Sequence, residues 1–175
     1  YRKAETGHLE LSYSKSTIGN FMYPLMETFE DYTQRVGVNF YYKVNSPNKH
    51  IVLDVNKTER ILLNLFSNAV KYDDLNREVN IESGIRSDDD KEIFYIEVSN
   101  TGIGITEDKM DKLFDRFYSG AQDMGNWGGS GIGLAMCKSL IELMEGTILV
   151  SSTPGQKTAF KIELPLDKSL YVEEI

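Results

Sequence analysis

The order in which hydrophobic periodicities follow one another constrains this fold more than any single motif. From Ser16 onward, Ile18, Phe21, Leu25, Phe29 and Tyr32 recur at spacings of three and four, which places one apolar stripe on a helix. Ser16 or Thr17 is placed to cap it, and Gly37 to end it. Val38 to Val44 has strand composition, SPNK at 46–49 is a turn, and His50 to Asp54 reads as a short strand. A second helix begins at Asn56 or Thr58 and runs to about Tyr72. Two strands, Val79 to Ile85 and Ile93 to Val98, flank the acidic run SDDDKE, a solvated hairpin turn. Then come NTGIGI, a short amphipathic helix from Lys109 to Phe117, and an aperiodic glycine-rich stretch over 118–130. A third long helix runs from Gly131 to about Glu145 with Gly146 as its C-cap glycine. The strands TILVSS and TAFKIELPL close the pattern. The last four strands are not separated by regular single crossovers. That order predicts an α+β fold, a two-layer α/β sandwich on a mixed sheet, rather than a doubly wound one.

The bulk numbers narrow the function classes. The chain has 175 residues, enough for one domain with a real core. Its 27 acidic residues outnumber 19 basic ones, and no concentrated positive face for nucleic acid is evident. The single cysteine, Cys137, excludes an intramolecular disulfide and sits in an apolar-periodic stretch as a core residue. No run approaches the ~20 apolar residues of a membrane span, so no membrane insertion by this chain is expected. The opening YRKAETGHLE has no signal-peptide pattern and reads as the continuation of a longer chain.

Three segments carry chemistry. In RILLNLFSNAVKY, 60–72, Leu62, Leu65, Phe66 and Ala69 share one helical face, while Asn64, Asn68 and Lys71 share another, bordered by Tyr72. Amide oxygens suit the shell of a hard cation, and an ammonium balances polyphosphate charge. The same face equally suits a solvated polar surface. In NTGIGI, 100–105, Gly102 and Gly104 permit tight turns and close ligand approach, and Asn100 offers an amide to a base. A simple turn also explains this G-x-G, which is neither a dinucleotide fingerprint nor a P-loop. In GGSGIGLAMCKSL, 128–140, Gly129, Gly131 and Gly133 alternate before a helix, where backbone N–H groups form an anion site. Between the glycine segments lies KLFDRFYSG. Its Arg116 is either a phosphate clamp or a surface arginine paired with Asp115. Trp127, in the stretch that follows, is either a latch or a partner contact.

These segments, in this order, resemble the GHKL, or Bergerat-fold, ATPase superfamily, and specifically its sensor histidine kinases. RILLNLFSNAVKY resembles the N box, NTGIGI the G1 box, KLFDRFYSG the F box and GGSGIGLAMCKSLIELMEG the G2 box with its helix. SSTPGQKTAFKIELPL resembles the closing G3 segment. YRKAETG resembles the end of the second helix of the kinase dimerisation domain, and AETGHLEL is similar to hybrid two-component sensors of Bacteroidetes.

The resemblance implies a Bergerat fold with a mobile ATP lid, with ATP and Mg²⁺ as cofactors. By position, Asn68 would coordinate Mg²⁺ with Asn64 in support. Lys71 would contact phosphate and Tyr72 the adenosine side. Gly102, Gly104 and Ile105 would line the adenine pocket, and Arg116 would orient the γ-phosphate. Gly129, Ser130, Gly131, Ile132 and Gly133 would cradle the phosphates beside Leu134, and Thr158 matches the last motif. Asn64, Lys71 and Arg116 form the implied catalytic set. Two positions depart from the family. Asn100 stands where an aspartate usually accepts from the adenine amino group, and Lys157 stands where a glycine often precedes the threonine.

The implied reaction is transfer of the ATP γ-phosphate to a histidine. The family's acceptor motif is absent, and neither His8 nor His50 has its context. The implied partners are therefore a histidine-containing dimerisation domain of the parent chain and a downstream response-regulator receiver domain. The fragment is expected to be monomeric and the parent homodimeric. The expected division is residues 1–13 as the end of the dimerisation domain and linker, 14–166 as the ATP-binding domain, and 167–175 as a tail. A cytoplasmic location beneath a membrane-anchored sensor is implied. A nucleotide-binding regulatory module without phosphotransfer is the alternative.

Overall fold

The computed structural model describes residues 10–72, 77–115 and 133–166. The chain enters through strand β1 (Ser14–Thr17). It pairs antiparallel with β3 (His50–Leu53), Ser14 opposite Leu53 and Thr17 opposite His50, as a small separate sheet. The polar run SKST has no strand-like alternation, so the sequence reading gave no strand here. Its extended form comes from the backbone partner that β3 supplies.

Helix α1 (Ile18–Val36) starts where Thr17 accepts the Asn20 N–H at 3.1 Å, and ends at Gly37 with φ 73°. Arg77 reinforces that end by donating Nε to the Gly37 carbonyl at 3.0 Å and Nη2 to the Val36 carbonyl at 2.7 Å. Ile18, Phe21, Met22, Leu25, Met26 and Phe29 are buried along the expected stripe. Tyr32 is not: it is 47% exposed, with only its ring edge against Phe66.

The main sheet contains β2 (Asn39–Val44), β4 (Glu78–Asp88), β5 (Lys91–Thr101), β6 (Thr147–Thr153) and β7 (Lys157–Leu166). Their order is β2-β4-β5-β7-β6. The β2–β4 pair is parallel and the others antiparallel, so the sheet is mixed, as expected. The acidic run closes the β4–β5 hairpin in two residues, with Asp89 at φ 52°, a left-handed conformation that Asp tolerates.

Helices α1, α2 (Val55–Lys71) and α4 (Gly133–Leu143) contribute to one core with the inward residues of the sheet, among them Val79, Ile81, Phe94, Ile96 and Ile162. Phe29 of α1 and Phe66 of α2 stack at 3.8 Å between centroids, and Phe40 of β2 meets both edge-on. Burial of rings this size makes the trio a major contributor to helix–sheet packing. The other sheet face carries charge: Arg86 bonds Glu163, and Lys157 lies 3.5 Å from Glu97.

β4 and β5 run longer than the sequence reading at both ends, and three helix ends differ from it. Helix α2 starts at Val55, capped by Asp54, whose carboxylate accepts the Lys57 N–H at 3.0 Å. Read as a strand end, Asp54 hid its capping role. The short helix α3 spans only Glu107–Met110, followed by turns to Asp115; Arg116 and Phe117 lie outside the described residues. At the end of α4, the left-handed residue is Glu145, φ 60°, rather than Gly146. The Gly146 N–H reaches back to the Ile141 carbonyl at 2.9 Å, and a Cβ there would sit 2.6 Å from the Glu163 carbonyl oxygen. Glycine is needed at 146 for close approach to β7, not for its φ.

Ser83 of β4 is fully buried, and its hydroxyl has no hydrogen-bond partner among the described residues. Ser83→Ala removes a desolvated, unsatisfied group at almost no cost in volume. Urea denaturation should show it equal to or up to about 1 kcal/mol more stable than wild type; a clear loss would mean the hydroxyl has a partner.

Candidate functional site

Among the described residues, the turn after β5 and the start of α4 each rest on α2, which brings Asn64, Tyr72, Asn100, Gly102 and Gly133 near one another. Burial of Ile61, Leu62, Leu65, Phe66 and Ala69 sets the rotation of α2 and leaves Asn64, Asn68, Lys71 and Tyr72 half-buried along its other side. Lys71 Nζ sits 5.7 Å from the Tyr72 ring centroid, a cation–π contact. Desolvation raises the Tyr72 phenol above its ordinary pKa, so it stays a neutral donor at physiological pH.

Gly102 brings the second motif onto α2. A Cβ at this position would overlap the Tyr72 carbonyl oxygen and lie 3.0 Å from Asn100 Nδ2. Asn100 is 6% exposed and stands opposite Thr158 in the β5–β7 register. Its amide therefore lies beside Gly102 on the helix-facing side of the sheet. Gly104 has φ 79°, and a Cβ there would be 2.7 Å from Pro154 Cα. The β6–β7 hairpin thus holds this turn from behind. The Gly155 N–H donates to the Ile103 carbonyl at 3.2 Å, and the Ile105 N–H donates to Ser152 Oγ at 2.8 Å. Ser152 Oγ and Thr158 Oγ1 are 2.8 Å apart.

Gly133 brings in the third motif. A Cβ on it would lie 2.6 Å from Asn64 Oδ1, so the first turn of α4 rests on the amide face of α2. Leu134 follows, half-buried against the core. Arg116, Gly129, Ser130, Gly131 and Ile132 lie outside the described residues, as do His8 and Trp127. His50 opens β3. Lys157 points to the outer face towards Glu97, opposite in strand phase to Thr158.

Sequence reasoning missed Ser152 and Pro154, which brace the glycine turn. The signal for Ser152 was a phase rule: Ile148 and Val150 face the helices, and a serine occupies the next helix-facing position. A separate cleft of ≈410 Å³ opens on the other sheet face among Tyr41, Lys43, Asn80, Glu82, Glu97 and Lys157. Asn100, Thr101 and Lys157 border it, but Asn64, Asn68, Lys71 and Tyr72 of α2 do not, so it is distinct from the motif site. Cys137 is fully buried, and burial pushes its thiol up to about 12, so it stays protonated and inert at neutral pH.

The geometry suits an anionic nucleotide. Among the described residues, no three His, Cys, Asp or Glu side chains cluster as a metal site. A divalent cation here would take protein oxygens from Asn64 and Asn68 and the rest from phosphate or water, a donor set that fits Mg²⁺.

Comparison with known proteins points to one family. Residues 53–168 match the family model described as "Histidine kinase-, DNA gyrase B-, and HSP90-like ATPase". "Histidine kinase P4" of Formosa agariphila is 28% identical over 172 residues, covering 96% of this chain and 12% of that protein. "Autoinducer 2 sensor kinase/phosphatase LuxQ" of Vibrio parahaemolyticus is 31% identical, covering 95% of this chain and 20% of that protein. The chain thus spans between 12% and 20% of the length of these curated relatives. Among solved structures, full-length ShkA in complex with AMPPNP superposes with a TM-score of 0.77 at 26% identity, over 90% of this chain and 32% of that one. The catalytic domain of histidine kinase ThkA, nucleotide free, shares the fold with a TM-score of 0.72 at 20% identity, over 89% of this chain and 98% of that one.

Gly102→Ala tests the contact between α2 and the glycine turn. Forcing Tyr72 and Gly102 apart should cost roughly 1–3 kcal/mol in urea unfolding and weaken nucleotide binding. An unperturbed variant on both measures would contradict the contact.

Proposed function

Because the chain belongs to the histidine kinase-, DNA gyrase B- and HSP90-like ATPase family, on its sensor histidine kinase branch, we propose that it binds Mg-ATP between α2 and the two glycine segments and presents the γ-phosphate to a histidine on another domain. The observation that carries this reading is the convergence on α2: Gly133 against Asn64 at one point, and Gly102, with Asn100 beside it, against Tyr72 at another. In this reading the amide oxygens of Asn64 and Asn68, the Lys71 ammonium and the start of α4 share one nucleotide site.

Each residue has a role in the proposal. Asn68, with Asn64, holds Mg²⁺, which neutralises phosphate charge when bound. Lys71 offsets polyphosphate charge, and Tyr72 packs beside the nucleoside. Asn100 accepts from the adenine amino group through its amide oxygen, without the charge assistance of a carboxylate. Gly102, Gly104 and Ile105 let the base approach the backbone, with Thr158 held in place by Ser152. The N–H groups of the 129–134 segment and Arg116 hold the phosphates in line.

Asn64 is also informative for what it does not do. An amide cannot take a proton from water as a carboxylate does. The α2 face therefore favours transfer to a supplied side chain over rapid hydrolysis. The acceptor is a histidine on the dimerisation domain of the parent chain, and the phosphoryl group passes onward to a receiver domain. Among the described residues, no helix is long and apolar enough to cross a membrane; the parent is proposed to be a membrane-anchored sensor with this domain on its cytoplasmic side.

Titration with a non-hydrolysable ATP analogue should give saturable, Mg²⁺-dependent binding, and Asn68→Ala should weaken it by about tenfold or more, the loss of one charge-assisted contact. Adding a separately prepared dimerisation domain with γ-labelled ATP should yield protein-bound label that survives alkali and is lost in acid. Binding without such label would favour a regulatory module; no Mg²⁺-dependent binding at all would defeat the reading.

A further inference from the structure

The start of α2 is bonded to chain that lies far away in sequence. Asp54 Oδ1 accepts the Lys57 N–H at 3.0 Å, the ordinary cap. Oδ2 accepts two further donors, the Ser12 N–H at 2.8 Å and the Lys57 ammonium at 3.0 Å. The same ammonium donates to the Glu10 carbonyl at 2.6 Å. Asp54 is 1% exposed, far more buried than a cap requires. Desolvation pushes its carboxyl up, but the hydrogen bonds from Ser12 and Lys57 outweigh that and hold it below the usual carboxylate value. A buried carboxylate of this kind depends on every donor it has.

The head of α2 is also joined to the second site helix. The Tyr13 phenol is raised above its ordinary value by desolvation and then by the nearby carboxylates of Glu145, just past α4, and Asp54. Thr58 Oγ1 of α2 lies 3.8 Å from Met144 Sδ at that same end of α4. Residues 14–17 then zip onto β3, which runs directly into Asp54. Segment 10–17 therefore grips the head of α2, which Thr58 in turn joins to the far end of α4.

We infer that segment 10–17 is a tether and Asp54 its positioning residue, so that displacement of the incoming chain is carried along α2 to Asn64, Asn68 and Lys71. The inference rests on the nucleotide-site reading. A continuous helix with one buried face moves as a unit, and α4 follows because Gly133 sits on Asn64. A signal arriving through the preceding chain would thereby tune nucleotide affinity without touching the cleft.

Coupling of this kind is reciprocal. If the tether positions α2, nucleotide must in turn tighten the tether. Hydrogen exchange on the full chain should show the Ser12 amide and those of β1 slowed by saturating Mg-ADP. Asp54→Asn keeps Oδ1 as cap but sets an amide nitrogen against the Ser12 N–H and the Lys57 ammonium. It should weaken Mg-ADP binding, measured by calorimetry, about fivefold or more. Lys57→Met leaves the cap intact and removes the bridge to Glu10; it should weaken binding in the same direction by a smaller factor. A purely structural cap predicts lower thermal stability in the variants with unchanged affinity. Equal affinity in wild type and Lys57→Met, with Ser12 exchange indifferent to nucleotide, overturns the tether even if Asp54→Asn fails to fold, and leaves the nucleotide site standing. Failure of the wild-type chain to bind Mg-ADP overturns the nucleotide reading and the tether with it.

Discussion

The burial of Ile61, Leu62, Leu65, Phe66 and Ala69 against α1, α4 and the sheet determines the rotation of α2, and with it the direction of Asn64, Asn68 and Lys71. A helix turns about 100° per residue, so a register change of one position would carry Asn64 and Asn68 off the cleft face. The stacked pair Phe29–Phe66, with Phe40 on its edge, opposes that rotation because rings of this size have no alternative slot in a close-packed interior. The rigid side of α2 is thus the reason that its polar side is usable.

The glycines then decide how near other chain segments come to this helix. At Gly102 and Gly133 any side chain would occupy space taken by Tyr72 and Asn64. The turn after β5 and the start of α4 therefore approach α2 with backbone rather than side chains. The β6–β7 hairpin supports the turn from behind through Ser152, Pro154 and Gly155. The sheet divides labour between its faces. Asn100 and Thr158 look toward the helices and the cleft, while Lys157, one residue away, looks out to Glu97. The lysine at 157 is thereby absorbed as a surface ion pair of small energetic weight.

Much of this was legible in the residues. The stripe of α1, the two faces of α2, the hairpin around the acidic run and the closing strand pair all follow from period and turn chemistry, which act over a few residues. What escaped was non-local. Strand β1 has no alternation of its own and exists through β3. Asp54 reads as a strand terminus until its donors are seen. Gly146 reads as a left-handed cap, yet the left-handed residue is Glu145 and the glycine serves the approach of β7.

The sequence alone determined the class of fold, the motif order and the two faces of α2, because periodicity and local backbone preference are properties of neighbouring residues. Only the tertiary structure decided which of those groups meet. Asn64 with Gly133, Tyr72 with Gly102, and Ser152 with Ile105 and Thr158 are contacts across the chain. So is the grip of Glu10 and Ser12 on the head of α2. Such contacts depend on how the helices are rotated and seated on the sheet, and close packing of the whole core sets that seating.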